Sequence, residues 1–164
     1  MDIHLDVVGV RVEMPSQQPV VLLRETDGIR YVPIWVGAAE ASSIAFAASG
    51  VIPPRPLTHD LMCDLLSALG TELSAVRITD LRDGVFYAEL VLQGPSGTMN
   101  VGARPSDAIA LAMRMGAPIS SSAEVMDQAS IEIADDQDAE DSDPEETVQE
   151  FREFLEHISP EDFQ

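Results

Sequence analysis

The segment from residue 134 to 143 reads Ala-Asp-Asp-Gln-Asp-Ala-Glu-Asp-Ser-Asp and holds no apolar side chain larger than alanine. Such a run cannot remove enough apolar surface from water to offset the entropy of ordering it. It reads as a flexible acidic linker, so the folded domain has to be built from residues 1–133, a length that buries one good core rather than two. Beyond the linker, Asp143-Pro144-Glu145-Glu146 is a helix start, and Val148, Phe151, Phe154, Leu155 and Ile158 recur at helical spacing. Residues 144–164 therefore read as an amphipathic helix and tail. Its apolar stripe needs its own domain, another subunit or a protein partner to dock on.

The charge follows the same division. The formal net charge is −20, and all nine cationic side chains are arginines. Residues 123–164 hold 16 of the 29 acids and only Arg152, which leaves 13 acids and eight arginines in residues 1–122, or −15 against −5. A net-negative body lacks the broad basic footprint of a tight nucleic-acid binder. A small arginine-lined cleft is still compatible with it. No stretch approaches the roughly 18 to 20 apolar residues of a membrane span, and Met1-Asp2-Ile3-His4 enters a strand-like pattern with no basic flank or apolar leader. These features predict a cytoplasmic protein with no membrane partner. Cys63 is the single cysteine, reads as a small helix residue and has no internal partner for a disulfide.

Ile3, Leu5 and Val7 alternate on one face and Val8, Val10 and Val12 on the other, so the first strand changes phase near Val7-Val8, the mark of a bulge. Runs at Pro19–Glu25 and Ile29–Val36 flank the turn Thr26-Asp27-Gly28 and complete an antiparallel meander. Pro33 cannot donate to a ladder, which places its strand at an edge or a bulge. An alanine-rich helix from Gly37 to Ser49, stopped by Gly50, carries Glu40 as its only charge and reads as mostly buried. Thr58 can cap a second helix that ends near Gly70, with Leu61, Met62, Leu65, Leu66 and Leu69 on one broad apolar face. Leu73–Thr79 and Val85–Leu92 form a hairpin across Leu81-Arg82-Asp83-Gly84. A short strand at Thr98–Val101 precedes a helix at Pro105–Met115, and Ser121-Ser122-Ala123-Glu124 opens a short helix to about Ala129. The fold class is α+β: a mixed or antiparallel sheet of about six strands, three to four packed helices, and the C-terminal amphipathic helix after the acidic linker.

Two segments repeat one device. Arg55-Pro56-Leu57-Thr58-His59-Asp60 and Arg104-Pro105-Ser106-Asp107 each set an arginine before a proline, then a hydroxyl and an acid in the first turn of a helix. Proline holds the preceding residue extended, so each guanidinium sits near free N–H groups and the positive end of a helix dipole, an arrangement suited to phosphate. On this reading Arg55, Arg104, Thr58 and Ser106 bind phosphate. His59 serves as acid or base, while Asp60, Asp107 and Glu40 are carboxylates for catalysis, with Asp60 and Asp107 also candidates to hold a divalent metal, Mg or Mn. The competing reading is structural: the acids support helix starts, Arg55 and Arg104 neutralise Asp107 and Asp60 where helices meet, and His59 is a satisfied first-turn histidine. Glu40 is open to either reading. Trp35 reads as a core or interface anchor ahead of a base-stacking platform, and His4 and His157 as surface residues. His-Glu-x-x-His, a phosphate loop ending in Gly-Lys-Ser/Thr, the dinucleotide glycine fingerprint and Gly-x-Ser-x-Gly are all missing from the sequence.

The strings Tyr31-Val32-Pro33-Ile34-Trp35-Val36-Gly37 with Glu40-Ala41, Pro54-Arg55-Pro56-Leu57-Thr58-His59-Asp60-Leu61, Phe86-Tyr87-Ala88 and Ala103-Arg104-Pro105-Ser106-Asp107-Ala108-Ile109-Ala110-Leu111-Ala112 resemble, in order and over roughly residues 3–130, the bifunctional nuclease domain family. The ending Phe151 to Phe163 is similar to an extension of its actinobacterial members. The resemblance implies an α+β fold, assembly as a homodimer or higher homo-oligomer, and activity on RNA and DNA. The family's motifs fall on Glu40, Arg55, Thr58, His59, Asp60, Arg104, Ser106 and Asp107. Many relatives carry an Asp immediately before the Ala-Arg-Pro-Ser-Asp run, where this chain has Gly102; if that Asp were a metal ligand, metal chemistry would differ here. The leading expectation is a weak or regulated nuclease. The alternative is a non-catalytic oligomeric module that recognises an anionic ligand or a protein.

Overall fold

The computed structural model describes residues 1–132; the expected linker at 134–143 and amphipathic helix at 144–164 lie outside the described residues. The elements run β1 (Asp2–Val12), β2 (Pro19–Glu25), β3 (Arg30–Trp35), α1 (Ala38–Ala48), α2 (Thr58–Ala68), β4 (Glu72–Arg82), β5 (Val85–Gly94), β6 (Gly97–Ala103), α3 (Pro105–Met115), β7 (Ile119–Ser122), α4 (Ala123–Ala129) and β8 (Ile131–Glu132). The described residues thus form an α+β domain with four helices and one eight-stranded sheet of order β6-β5-β4-β7-β1-β2-β3-β8.

The meander forms as its pattern predicts, with β1 against β2 and β2 against β3, all antiparallel. The phase change in β1 is a bulge: Val7 pairs with Leu23 and Gly9 with Leu22, leaving Val8 as the extra residue. Pro33 lies beyond the two-residue pairing of β3 with β8, where no described strand needs its missing N–H. Asp83 and Gly84 both adopt positive φ, 49° and 77°, the twist a two-residue hairpin between β4 and β5 requires.

The sheet has two strands more than the sequence pattern indicated. β8 is only two residues long, and β7 is Ile-Ser-Ser-Ser, which has neither the alternation nor the apolarity of a strand. Its position supplies the reason: β7 pairs antiparallel with β1 and parallel with β4, joining the two halves of the sheet. Ser120 and Ser121 are buried there, and ladder hydrogen bonds on both sides satisfy the backbone that a polar strand brings into the core.

α3 is buried on nearly every side, with Ala108 to Ala112 continuously inaccessible, and it packs against α1, α2, β4 and β5. Pro105 at its first position and Gly116 in the left-handed conformation at its end account for its limits. The expectation of a mostly buried α1 needs correction, because only Ala41, Ser43 and Ile44 are buried while Phe46 is 40% exposed. Thr58 is the first helical residue of α2 rather than its cap; the cap position is Leu57, whose N–H donates to Asp60 Oδ2 at 2.9 Å. The broad apolar face of α2 also points the other way. Cys63 and Leu66 pack on the core, whereas Leu61, Leu65 and Leu69 are 49%, 53% and 70% exposed.

Candidate active site

Packing of α3 against both α1 and α2 brings two helix starts together. Arg104 occupies the cap position of α3 in an extended conformation, φ −68° and ψ 142°, as the following proline requires. One face of α1 contributes Glu40 and Ser43, one turn apart, and the first turn of α2 contributes Thr58 and His59. These residues, with Arg104 and Asp107, line an open cavity of about 420 Å³ whose remaining wall includes Phe46, Leu57 and Met62.

His59 is the hub of this wall. It is 7% exposed, with Nδ1 lying 2.7 Å from Ser43 Oγ and Nε2 lying 2.9 Å from Asp107 Oδ1. An ionised carboxylate only accepts hydrogen bonds, so Nε2 carries a proton towards Asp107; in the neutral ring, Nδ1 then accepts from the Ser43 hydroxyl. Arg104 grips Asp107 with two bonds, Nε to Oδ2 at 2.7 Å and Nη2 to Oδ1 at 3.1 Å, and Nη2 also reaches Glu40 Oε1 at 3.0 Å. Its Nη1 has no partner among the described residues, and the side chain is 66% exposed. Burial pushes the Asp107 carboxyl up, but hydrogen bonds from Arg104 and His59 outweigh it and hold the group below its ordinary value. Arg104 is raised in turn, chiefly by Asp107 and then by Glu40.

Asp60 belongs to a different network. Its Oδ1 accepts from Arg114 Nε at 2.8 Å, and Arg114 also donates through Nη2 to the Ser43 carbonyl at 3.0 Å and through Nη1 to the Ala110 carbonyl at 2.9 Å. The Arg114 bond, and after it the Leu57 N–H, holds the Asp60 carboxyl below its ordinary value. The structural pairing of Arg55 with Asp107 and Arg104 with Asp60 is therefore corrected: Arg104 takes Asp107, and Arg114 takes Asp60. Arg55 is exposed and makes no ion pair among the described residues. Ser106 is buried and faces a second cavity of about 420 Å³ on the other side of Arg104, lined also by Trp35 and Phe86. Trp35 is half-buried and donates through its indole to Glu13 Oε2 at 3.4 Å. His4 is exposed, as expected, and His157 lies outside the described residues.

Ser43 and Arg114 went unrecognised in the sequence, although each stands in helical register with a recognised residue: Ser43 three positions after Glu40, and Arg114 seven after Asp107. Both carboxylates proposed as metal ligands have their two oxygens occupied by internal donors. Among the described residues no three His, Cys, Asp or Glu side chains gather as a metal-binding group. This donor set does not fit a hard divalent ion, which needs several free oxygens converging on one point. Gly102 lies exposed on β6, where a Cβ would meet nothing within 4 Å.

The fold and this polar corner define an α+β domain with an arginine and a histidine held by carboxylates at paired helix starts. Residues 21–134 match the family model of the bifunctional nuclease domain, and the chain belongs to that family. It is 51% identical over 159 residues to uncharacterised proteins from two strains of Mycobacterium tuberculosis, an alignment covering 96% of this chain and 95% of each relative. It is also 28% identical over 121 residues to bifunctional nuclease 2 of Oryza sativa subsp. japonica, across 71% of this chain but 37% of the rice protein. Among the described residues no helix is long and apolar enough to cross a membrane.

Proposed function

We propose that this chain hydrolyses phosphodiester bonds of RNA or DNA in the cavity between α1, α2 and α3. One observation carries the reading: His59, a group able to give and take a proton, lines a cavity beside an arginine that its carboxylate partners hold in place while Nη1 has no partner among the described residues. In this scheme Arg104 Nη1 binds a phosphoryl oxygen, the Thr58 hydroxyl adds a second donor, and exposed Arg55, three residues before Thr58, contacts the backbone of the bound strand. His59 transfers the proton, and Asp107 orients the ring and stabilises its charged form. Glu40 holds Arg104, and Asp60 acts at one remove by fixing Arg114 beneath Ser43. No step is routed through Mg or Mn.

The test is cleavage of labelled single-stranded RNA and DNA by the purified full chain, with and without magnesium or manganese, beside His59→Ala and Arg104→Ala proteins purified identically. Loss of cleavage by about 10²-fold or more in His59→Ala is expected for removal of an acid–base group. Equal cleavage by all three proteins would assign the activity to a contaminant or another site.

A second reading rests on the outward face of α2. Leu61, Met62, Leu65 and Leu69 on α2, and Phe46, Val51 and Ile52 at the end of α1 and in the loop after it, are large apolar side chains open to water. This face suits self-association as a homodimer or higher homo-oligomer, and in the non-catalytic version the same assembly binds an anionic ligand at Arg104 or a protein partner. Absence of cleavage by a folded, oligomeric parent would select that version.

A further inference from the structure

We infer that Ser43 is the nucleophile of a two-step phosphodiester cleavage, in which its Oγ is transiently linked to the nucleotide phosphate. The inference rests on the nuclease reading above, which leaves the attacking group unnamed.

The behaviour of the helix's own serines is the starting point. A serine within a helix normally returns its hydroxyl to the carbonyl four residues back. Ser42 within α1 and Ser49 at its C-terminal cap do so, donating to Ala38 O at 3.0 Å and Ala45 O at 2.8 Å. Ser43, between them in the same helix, instead directs its hydroxyl to His59 Nδ1 at 2.7 Å. The far ring nitrogen is fixed on Asp107 Oδ1 at 2.9 Å, so nucleophile, base and orienting carboxylate follow in one chain drawn from three helices. All three line the cavity that Arg104 borders. Backbone support is present as well, because Arg114 binds the Ser43 carbonyl and Asp60 together and so ties α1 and α2 to α3.

In the first step the Ser43 hydroxyl proton passes to His59 Nδ1 and Oγ forms a bond to phosphorus. The bond from phosphorus to the sugar oxygen opposite Oγ breaks, and that oxygen takes a proton from water as it leaves, while His59 keeps the Ser43 proton on Nδ1. In the second step water attacks phosphorus from the side the sugar oxygen left and gives its proton to the solvent, restoring the one taken there in the first step, and Ser43 Oγ departs with the proton held on His59 Nδ1. Arg104 Nη1 faces the charge that gathers on the phosphoryl oxygens in both steps. The route needs no 2′-hydroxyl, so DNA is as good a substrate for it as RNA.

Stereochemistry separates this route from direct attack by water. The full chain is given a single-stranded DNA oligonucleotide with one phosphorothioate of defined configuration, and cleavage is run in ¹⁸O-enriched water. Two displacements give net retention at phosphorus, which is the expected result, together with a fall of about 10²-fold or more in kcat for Ser43→Ala. Inversion overturns Ser43 as nucleophile while leaving His59-dependent hydrolysis standing. Cleavage by Ser43→Ala within about threefold of the parent overturns it in the same way. No cleavage by the parent, with its fold intact by circular dichroism, overturns both readings.

Discussion

Two arginines bracket α3, and their burial separates what each does. Arg114 is 10% exposed in its side chain and Asp60, its partner, 26%; Arg104 is 66% exposed. Removing one partner of a buried ion pair costs about 3–5 kcal/mol, because the other charge is stranded. Asp60 is a quarter open to water and keeps the Leu57 N–H, which places Arg114→Ala at the lower end, about 3 kcal/mol. That is a large part of the roughly 5–15 kcal/mol that holds a domain of this kind together. Arg104→Ala removes the ion pairs to Asp107 and Glu40, but the guanidinium lies on the water side and Asp107 keeps its bond to His59, so it should cost less, about 1–2 kcal/mol, and on the proposed function it should abolish phosphate binding at the cavity. Urea unfolding of the parent and both variants gives the comparison through midpoints at constant slope. The burial reasoning is refuted if Arg104→Ala is as destabilising as Arg114→Ala, or if a cycle of Arg114→Ala with Asp60→Ala shows coupling below about 0.5 kcal/mol.

Three further outcomes are expected. Asp60 and Asp107 are held below their ordinary value of 3.8, so the folded state binds fewer protons there than the unfolded chain. Their stabilising contribution is complete above that value and is lost as the pH falls through the lowered native values; Asp60→Asn should flatten the acid limb of a stability–pH profile, and an unchanged limb would contradict the assignment. Removing residues 134–164, which are rich in acids, should raise affinity for single-stranded RNA at low salt, with the gain shrinking as salt is added; unchanged affinity in a filter-binding titration would show that the tail does not shield Arg104 and Arg55. Leu61→Glu with Leu65→Glu should shift the particle to a smaller mass in light scattering without loss of helical signal, since both side chains already face water; an unchanged mass would move the interface off α2.

Several elements were legible because a local rule specifies them. Arg104-Pro105 and Gly116 bound α3 through the fixed φ of one residue and the left-handed freedom of another. Asp83-Gly84 sets the β4–β5 hairpin, and the phase slip at Val7-Val8 announces the bulge. The ordered family strings placed Glu40, His59, Arg104 and Asp107 in one group, and the helix starts they sit on do converge.

Other features depend on distances that no local pattern encodes. β7 is a strand because β1 and β4 flank it and supply hydrogen bonds on both sides, not because Ile-Ser-Ser-Ser favours that state. The outward face of α2 has the same periodicity as an inward one; which way it turns is settled by the packing of α2 on α3 and of Cys63 and Leu66 against the core. Periodicity tells which side chains share a face and leaves open what that face meets. The sequence by itself determined the secondary elements other than β7 and β8, the family, and the grouping of Glu40, His59, Arg104 and Asp107 at helix starts. Only the tertiary structure decided that Asp60 belongs to Arg114, and that Ser43 completes a chain through His59 to Asp107, because hydrogen bonds between residues 54, 16 and 48 positions apart depend on how three helices cross to within an ångström.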